Sequence, residues 1–100
     1  MIKHIVMWKL ADFAEGKSRT ENAKLIKEKI EGLKNIVPQI VEIEVGFNFN
    51  RSDTAYDVVL YSLFQSKEDL DIYQEHPDHK KVAEFVAKVR TARVVADYEV

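Results

Sequence analysis

The chain has no cysteine, which excludes a disulfide framework, a thiolate nucleophile and any zinc site built on thiolates. Glycine is scarce, at 3 residues, and none sits in a phosphate-cradling loop or a dinucleotide fingerprint; a nucleophilic serine elbow is equally absent. No apolar run approaches the length needed to span a bilayer. The opening segment Met1-Ile2-Lys3-His4-Ile5-Val6-Met7-Trp8-Lys9 is apolar but interrupted by charge, and without a small-residue cleavage site it does not read as a signal peptide. Charge of one sign is also missing. The 15 basic and 17 acidic residues leave −2, and Lys and Arg are spread over helix faces, so neither nucleic acid nor a membrane is expected as a partner. A cytoplasmic protein is the simplest expectation.

What is present is the composition of a globular domain, 46% hydrophobic and 32% charged over 100 residues. Residues 1–100 make one domain, and a chain of this size hides only about two thirds of its unfolded surface, so self-association is expected to add stability. From Ile2 to Leu10, the set Ile2, His4, Val6, Trp8, Leu10 alternates with Lys3, Ile5, Met7, Lys9. Both faces are largely apolar, which suits a strand covered on both sides. Ser18-Arg19-Thr20-Glu21 has capping-box spacing, and Ala23, Ile26, Ile30, Leu33 and Val37 follow at helical intervals; Gly32, Asn35 and Pro38 mark where that helix ends. Val41, Ile43, Val45 and Phe47 then alternate with Glu42, Glu44, Gly46 and Asn48 in a second strand.

After a polar turn over Asn48–Thr54, β-rich sequence resumes from Tyr56 to Phe64, with Val58, Leu60 and Phe64 on one face and Val59, Tyr61 and Leu63 on the other. A short helix begins at Ser66, breaks before Pro77, and resumes with Val82, Phe85, Val86 and Val89 at helical spacing. Ala92–Val100 is β-branched and aromatic enough for a last strand. The order β-α-β-β-α-β, with its second helix in two pieces, predicts an α+β ferredoxin-like fold: one four-stranded antiparallel sheet with both helices on one face. The opposite face, carrying Ile5, Met7, Val59, Tyr61 and Leu63, then needs a cover. Two sheets packed face to face across a two-fold axis supply it, so a homodimer through the sheet face is expected.

The densest chemistry lies in Asp71-Ile72-Tyr73-Gln74-Glu75-His76-Pro77-Asp78-His79. Proline fits the first turn of a helix, so a helix should start at Pro77 and place His79 in that turn, where the positive end of the dipole favours neutral imidazole. A phenol one short break upstream makes Tyr73 and His79 a candidate acid and base pair. The competing reading makes Tyr73 a core aromatic with a wet tip and His79 a surface residue. His4 is open in the same way, as a core histidine satisfied by one partner or as a cavity residue. Val6, Trp8, Val58, Leu60 and Phe64 share its apolar face and would line any pocket that forms there. His76 should cap or flank the helix.

Lys3 to Lys9, Ile36-Val37-Pro38 with Glu44-Val45-Gly46, Tyr56-Asp57-Val58-Val59-Leu60, Tyr73 to His79 and the closing Asp97-Tyr98-Glu99 together resemble the stress-responsive dimeric α/β-barrel (Dabb) family. The likeness runs over essentially the whole chain and implies a ferredoxin-like dimeric α/β barrel. From its polyketide-cyclase members it implies Tyr73 and His79 as acid and base in a cavity between sheet and helices, with His4 as a cavity residue. Val58, Ile30 and Trp8 stand where those cyclases carry a histidine, a tyrosine and a smaller aliphatic residue, which implies a smaller and less polar pocket. The family also implies a Mg²⁺ held by backbone carbonyls matching Lys34, Val37 and Ile40, whereas the residues themselves lead us to expect no cofactor. The functional expectation is a stress-responsive domain binding a small apolar or carbonyl-containing molecule. The alternatives are an acid/base enzyme of the cyclase or lyase type and, by fold analogy alone, a cofactor-free monooxygenase.

Overall fold

Alternation at the N-terminus produces β1 (Ile2–Leu10), in which Ile2, His4, Val6, Trp8 and Leu10 are all buried and the residues between them are not. The computed structural model describes all 100 residues. After β1 comes a small hairpin of β2 (Phe13–Ala14) and β3 (Lys17–Ser18), followed by α1 (Arg19–Gly32) and a 3-10 turn (Leu33–Asn35). Then follow β4 (Ile40–Phe47), β5 (Val58–Phe64), α2 (Lys67–Glu75), α3 (Pro77–Val89) and β6 (Arg90–Glu99). The main sheet has the order β4-β5-β1-β6, and every pairing in it is antiparallel. This is the ferredoxin-like α+β arrangement expected from the pattern of elements. No helix is long and apolar enough to cross a membrane.

Local chemistry explains the boundaries. The capping box at Ser18 forms in both directions: the Glu21 N–H donates to Ser18 Oγ at 3.2 Å, and the Ser18 N–H donates to Glu21 Oε1 at 3.1 Å. Immediately before it, Glu15 (φ 52°) and Gly16 (φ 75°) turn the β2–β3 hairpin, a two-residue connection with left-handed backbone at both positions. This hairpin was not expected from the pattern. It is tied down by Asn22 of α1, whose amide donates to the Ala14 and Lys17 carbonyls at 3.0 and 3.4 Å.

Two details of register differ from simple alternation. In β4 the pairing slips between Ile40 and Glu42, so Val41 occupies a bulge and Ile40, not Val41, joins Ile43 and Val45 on the helix-covered face. A second bulge opens β6, where Lys9 pairs with Ala92 but Leu10 pairs with Arg90. The helix-covered face carries two packed groups. Val6, Trp8, Leu60, Ile26, Ile30 and Val86 belong to the first, and Ile2, Leu33, Val37, Phe64, Leu70 and Tyr73 to the second. His4 lies between them in β1, and the hydroxyl of buried Ser62 on β5 donates to the His4 carbonyl at 2.9 Å. The edge strand β4 is capped from outside at Val45: its N–H donates to Glu31 Oε2 at 3.0 Å, and Lys27 Nζ donates to its carbonyl at 2.7 Å.

Candidate functional site

Between the two packed groups the helix-covered face leaves a cavity of about 120 Å³. β1 contributes His4, Val6 and Trp8, and β5 contributes Leu60; Ile30 comes from α1, Tyr73 and Gln74 from α2, and His79, Val82, Ala83 and Val86 from α3. Arg90 and Arg93 of β6 complete the lining. The volume is in the range of a cavity that takes one benzene ring, about 150 Å³.

The break between α2 and α3 sets the geometry of Tyr73 and His79. His76 has extended backbone (ψ 134°), which ends α2, and its Nδ1 accepts the Asp78 N–H at 3.1 Å as the N-cap of α3, with Pro77 at the first helical position. The chain therefore doubles back, and the Tyr73 and His79 rings meet with centroids 4.5 Å apart at 53°. His79 Nδ1 lies 3.0 Å from the Gln74 carbonyl. A carbonyl can only accept, so Nδ1 carries the proton and Nε2 of the neutral ring keeps its lone pair. Burial pulls the pKa of His79 below its ordinary 6.5, and repulsion from His4 and Arg93 adds to the lowering, against the opposing hydrogen bond to Gln74. Tyr73 is fully buried. Burial is the one influence on its phenol and pushes the pKa well above the usual 10, so the group is a proton donor at neutral pH.

A second imidazole faces the same cavity. His4 pairs through Nδ1 with the carboxylate of Asp97, its cross-strand partner on β6, and its ring stands edge-on to Tyr73 at 6.4 Å. The carboxylate accepts, which fixes the His4 tautomer and leaves Nε2 as its free nitrogen. Two oriented imidazoles and one protonated phenol around a largely apolar space can take a proton from a carbon acid and hydrogen-bond the oxygen that gains charge.

The cavity holds Tyr73, His79, His4, Val6, Trp8 and Leu60 together. Val58 and Phe64, expected in the lining, are instead core residues. Val58 is buried at the start of β5, and Phe64 packs against Tyr73 at 5.0 Å between ring centroids. The side chains of Lys34, Val37 and Ile40 carry no oxygen, and the Val37 carbonyl accepts the Ile40 N–H at 3.3 Å. No cluster of three or more His, Asp or Glu residues suited to a metal occurs. Four polar residues of the site were not anticipated: Gln74, Arg90, Arg93 and Asp97. The last three are on β6, where the bulge and the pairing with β1, rather than any local motif, bring Arg90 and Arg93 to the cavity and Asp97 opposite His4.

Comparison with known proteins agrees with this architecture. The chain is 30% identical to the stress-response A/B barrel domain-containing protein DABB1 of Arabidopsis thaliana, over 98% of this chain and 46% of the relative, so it spans about half that protein's length. A dimeric protein of unknown function and ferredoxin-like fold from Bacteroides fragilis superposes with TM-score 0.87 at 33% identity, covering 99% of this chain and 95% of the other. The hydroxynitrile lyase of Passiflora edulis shares the fold, with TM-score 0.83 at 19% identity over 99% and 92% of the two chains. Residues 2–100 match the Stress responsive A/B Barrel Domain, and the chain belongs to that family.

Proposed function

We propose that this domain works as a homodimer and binds a compact apolar or carbonyl-containing molecule in the cavity between sheet and helices. The observation that carries the reading is the pairing of an apolar space of about 120 Å³ with two imidazoles of fixed tautomer and one phenol. Pockets of this composition gain affinity from their walls and orientation from a few convergent polar groups. The dimer is supported by the uncovered apolar face, where Met7, Val94 and Tyr98 are each more than a third exposed, and by the dimeric state of the Bacteroides fragilis relative. A ligand screen by thermal shift on wild type and His79→Ala tests the binding reading. A cavity ligand raises the melting temperature of the wild type and loses that effect in a folded His79→Ala protein. If every hit stabilises both proteins equally, the reading fails.

A second reading is acid/base chemistry on a carbonyl compound, and the packing of the His79 ring, with Nδ1 committed to the Gln74 carbonyl, against the Tyr73 ring favours it. Nε2 takes a proton from the carbon next to the carbonyl. The electron pair left by that C–H bond moves onto the carbonyl oxygen, which Tyr73 hydrogen-bonds; return of the proton at a different position completes an isomerase step, attack of the enolate carbon on a second carbonyl completes an aldol step, and the reverse of that attack, which breaks the same C–C bond, is the lyase step. Exchange of such protons from bound ketones in deuterated water, followed by NMR, measures it. His79→Gln and Tyr73→Phe are expected to slow exchange by about 10²-fold or more. Oxygenation without a cofactor rests on fold analogy alone.

A further inference from the structure

The sequence spacing of Arg90 and Arg93 would send them to opposite faces of a regular strand, because side chains alternate with a period of two. The bulge that opens β6 cancels this. Ala92 is opposite Lys9 and Arg90 is opposite Leu10, so Thr91 is the extra residue, and Arg90 and Arg93 both come to the helix-covered face and line the cavity. A bulge beside a cavity re-aims side chains, and here it gathers two guanidinium groups at one opening.

Neither arginine has a carboxylate partner. The ion pairs of the chain are His4 with Asp97, Arg19 with Asp12 and Asp57, Lys27 with Glu31, and Lys80 with Glu75. Asp97, the carboxylate on the same face of the same strand, is committed to His4. Guanidinium stays charged at any pH a protein experiences, and its planar fork matches a carboxylate. The rest of the lining is apolar apart from Gln74, Tyr73 and the two imidazoles, and the Coulomb field of Arg93 reaches His79.

We propose that the ligand of this cavity is a short oxo acid, its carboxylate held by Arg90 and Arg93 and its carbonyl lying against Tyr73 and His79. This rests on the cavity being the binding site and narrows what it binds from carbonyl compounds in general to anionic ones. Size agrees, because a three- or four-carbon oxo acid has about as many heavy atoms as the single ring that such a volume accommodates. The anion also removes the repulsion between Arg93 and a protonated His79, so binding and protonation of His79 are linked, each favouring the other.

The test uses 2-oxobutanoate and its neutral isostere 2-oxobutanamide. Each is titrated into the full chain at low salt, with the ring proton resonances of His4 and His79 as the readout of site and affinity. The acid is expected to bind about tenfold or more tightly than the amide, the range for adding a charge-assisted fork, and to raise the pH midpoint of His79. Arg90→Gln with Arg93→Gln, both at exposed positions, should abolish that preference by weakening the acid far more than the amide; Arg93→Lys, which keeps the charge but loses the fork, should fall between. If acid and amide bind equally, or the preference survives loss of both arginines, the oxo-acid proposal is overturned while the cavity remains the binding site. If neither compound moves the two histidines, the cavity reading falls as well.

Discussion

His4 and Asp97 are 93 residues apart in sequence and directly opposite each other on neighbouring strands, where the imidazole of one donates to the carboxylate of the other. The histidine is buried and the carboxylate is half exposed. The aspartate therefore orients the ring of His4 while water solvates its remaining lone pairs. Asp97→Ala is expected to leave the fold intact and cost about 1–3 kcal/mol, because it removes the charged acceptor of the buried His4 Nδ1–H. Nitrogen chemical shifts of the His4 ring check the positioning role: wild type shows one tautomer with the proton on Nδ1, and the variant shows a mixture.

Tyr73 serves packing and chemistry with different atoms, and two substitutions separate them. The ring is fully buried, and it contacts both Phe64 and His79. Tyr73→Ala empties that space and is expected to destabilise by about 3–5 kcal/mol in urea unfolding. Tyr73→Phe keeps the ring and removes an oxygen to which no hydrogen bond contributes; its stability should lie within about 1 kcal/mol of wild type. Any loss of ligand binding or proton exchange in Tyr73→Phe then belongs to the hydroxyl.

The native state holds the pKa of His79 below its ordinary 6.5. Above that value the ring is neutral both folded and unfolded, so it makes no pH-dependent contribution. As pH falls through 6.5 the unfolded chain takes up a proton that the native chain resists, and stability declines until the folded value is passed. Urea unfolding of wild type and His79→Gln at pH 8 and pH 5.5 isolates the effect from other titrating groups. Wild type should lose more stability over this interval than the variant. An equal loss in both would show that the ring is as easily protonated in the folded protein as outside it.

The parts of the site that could be read from the sequence are those set by local signals. The alternation of His4, Val6 and Trp8 put them on one face of β1, and Pro77 broke the helix where Tyr73 and His79 needed to meet. Face alone does not give depth, however. Val58 and Phe64 share the cavity's side of β5, yet helix packing covers them and leaves Leu60 between them to line the cavity. Bulges were illegible for a related reason. Alternation assigns Val41 to the core and separates Arg90 from Arg93, and only the pairing of each strand with its neighbour reveals the extra residue. Asp97 required the same long-range register to come opposite His4. The β2–β3 hairpin depends on left-handed backbone at Glu15, a conformation that glutamate does not advertise.

Met7 is flanked by Val59 on one side and Val94 on the other, and this cross-strand row runs through the middle of the sheet face that no helix covers. Lys3 adds to the patch with its stem, its ammonium standing 5.9 Å from the centre of the Tyr61 ring. An apolar surface of this kind is stabilised when a second copy covers it, and the two-fold arrangement makes each residue of the row serve both partners. Sedimentation equilibrium should therefore find wild type as a dimer and Met7→Asp as a monomer, since the variant would place two carboxylates at a desolvated interface. Ile72→Lys, a comparable change at an exposed apolar position on α2, should remain dimeric. The melting temperature of the wild type should rise with protein concentration and that of Met7→Asp should not. A wild-type chain that sediments as a monomer with a concentration-independent melting temperature would mean that the uncovered sheet face is stable in water.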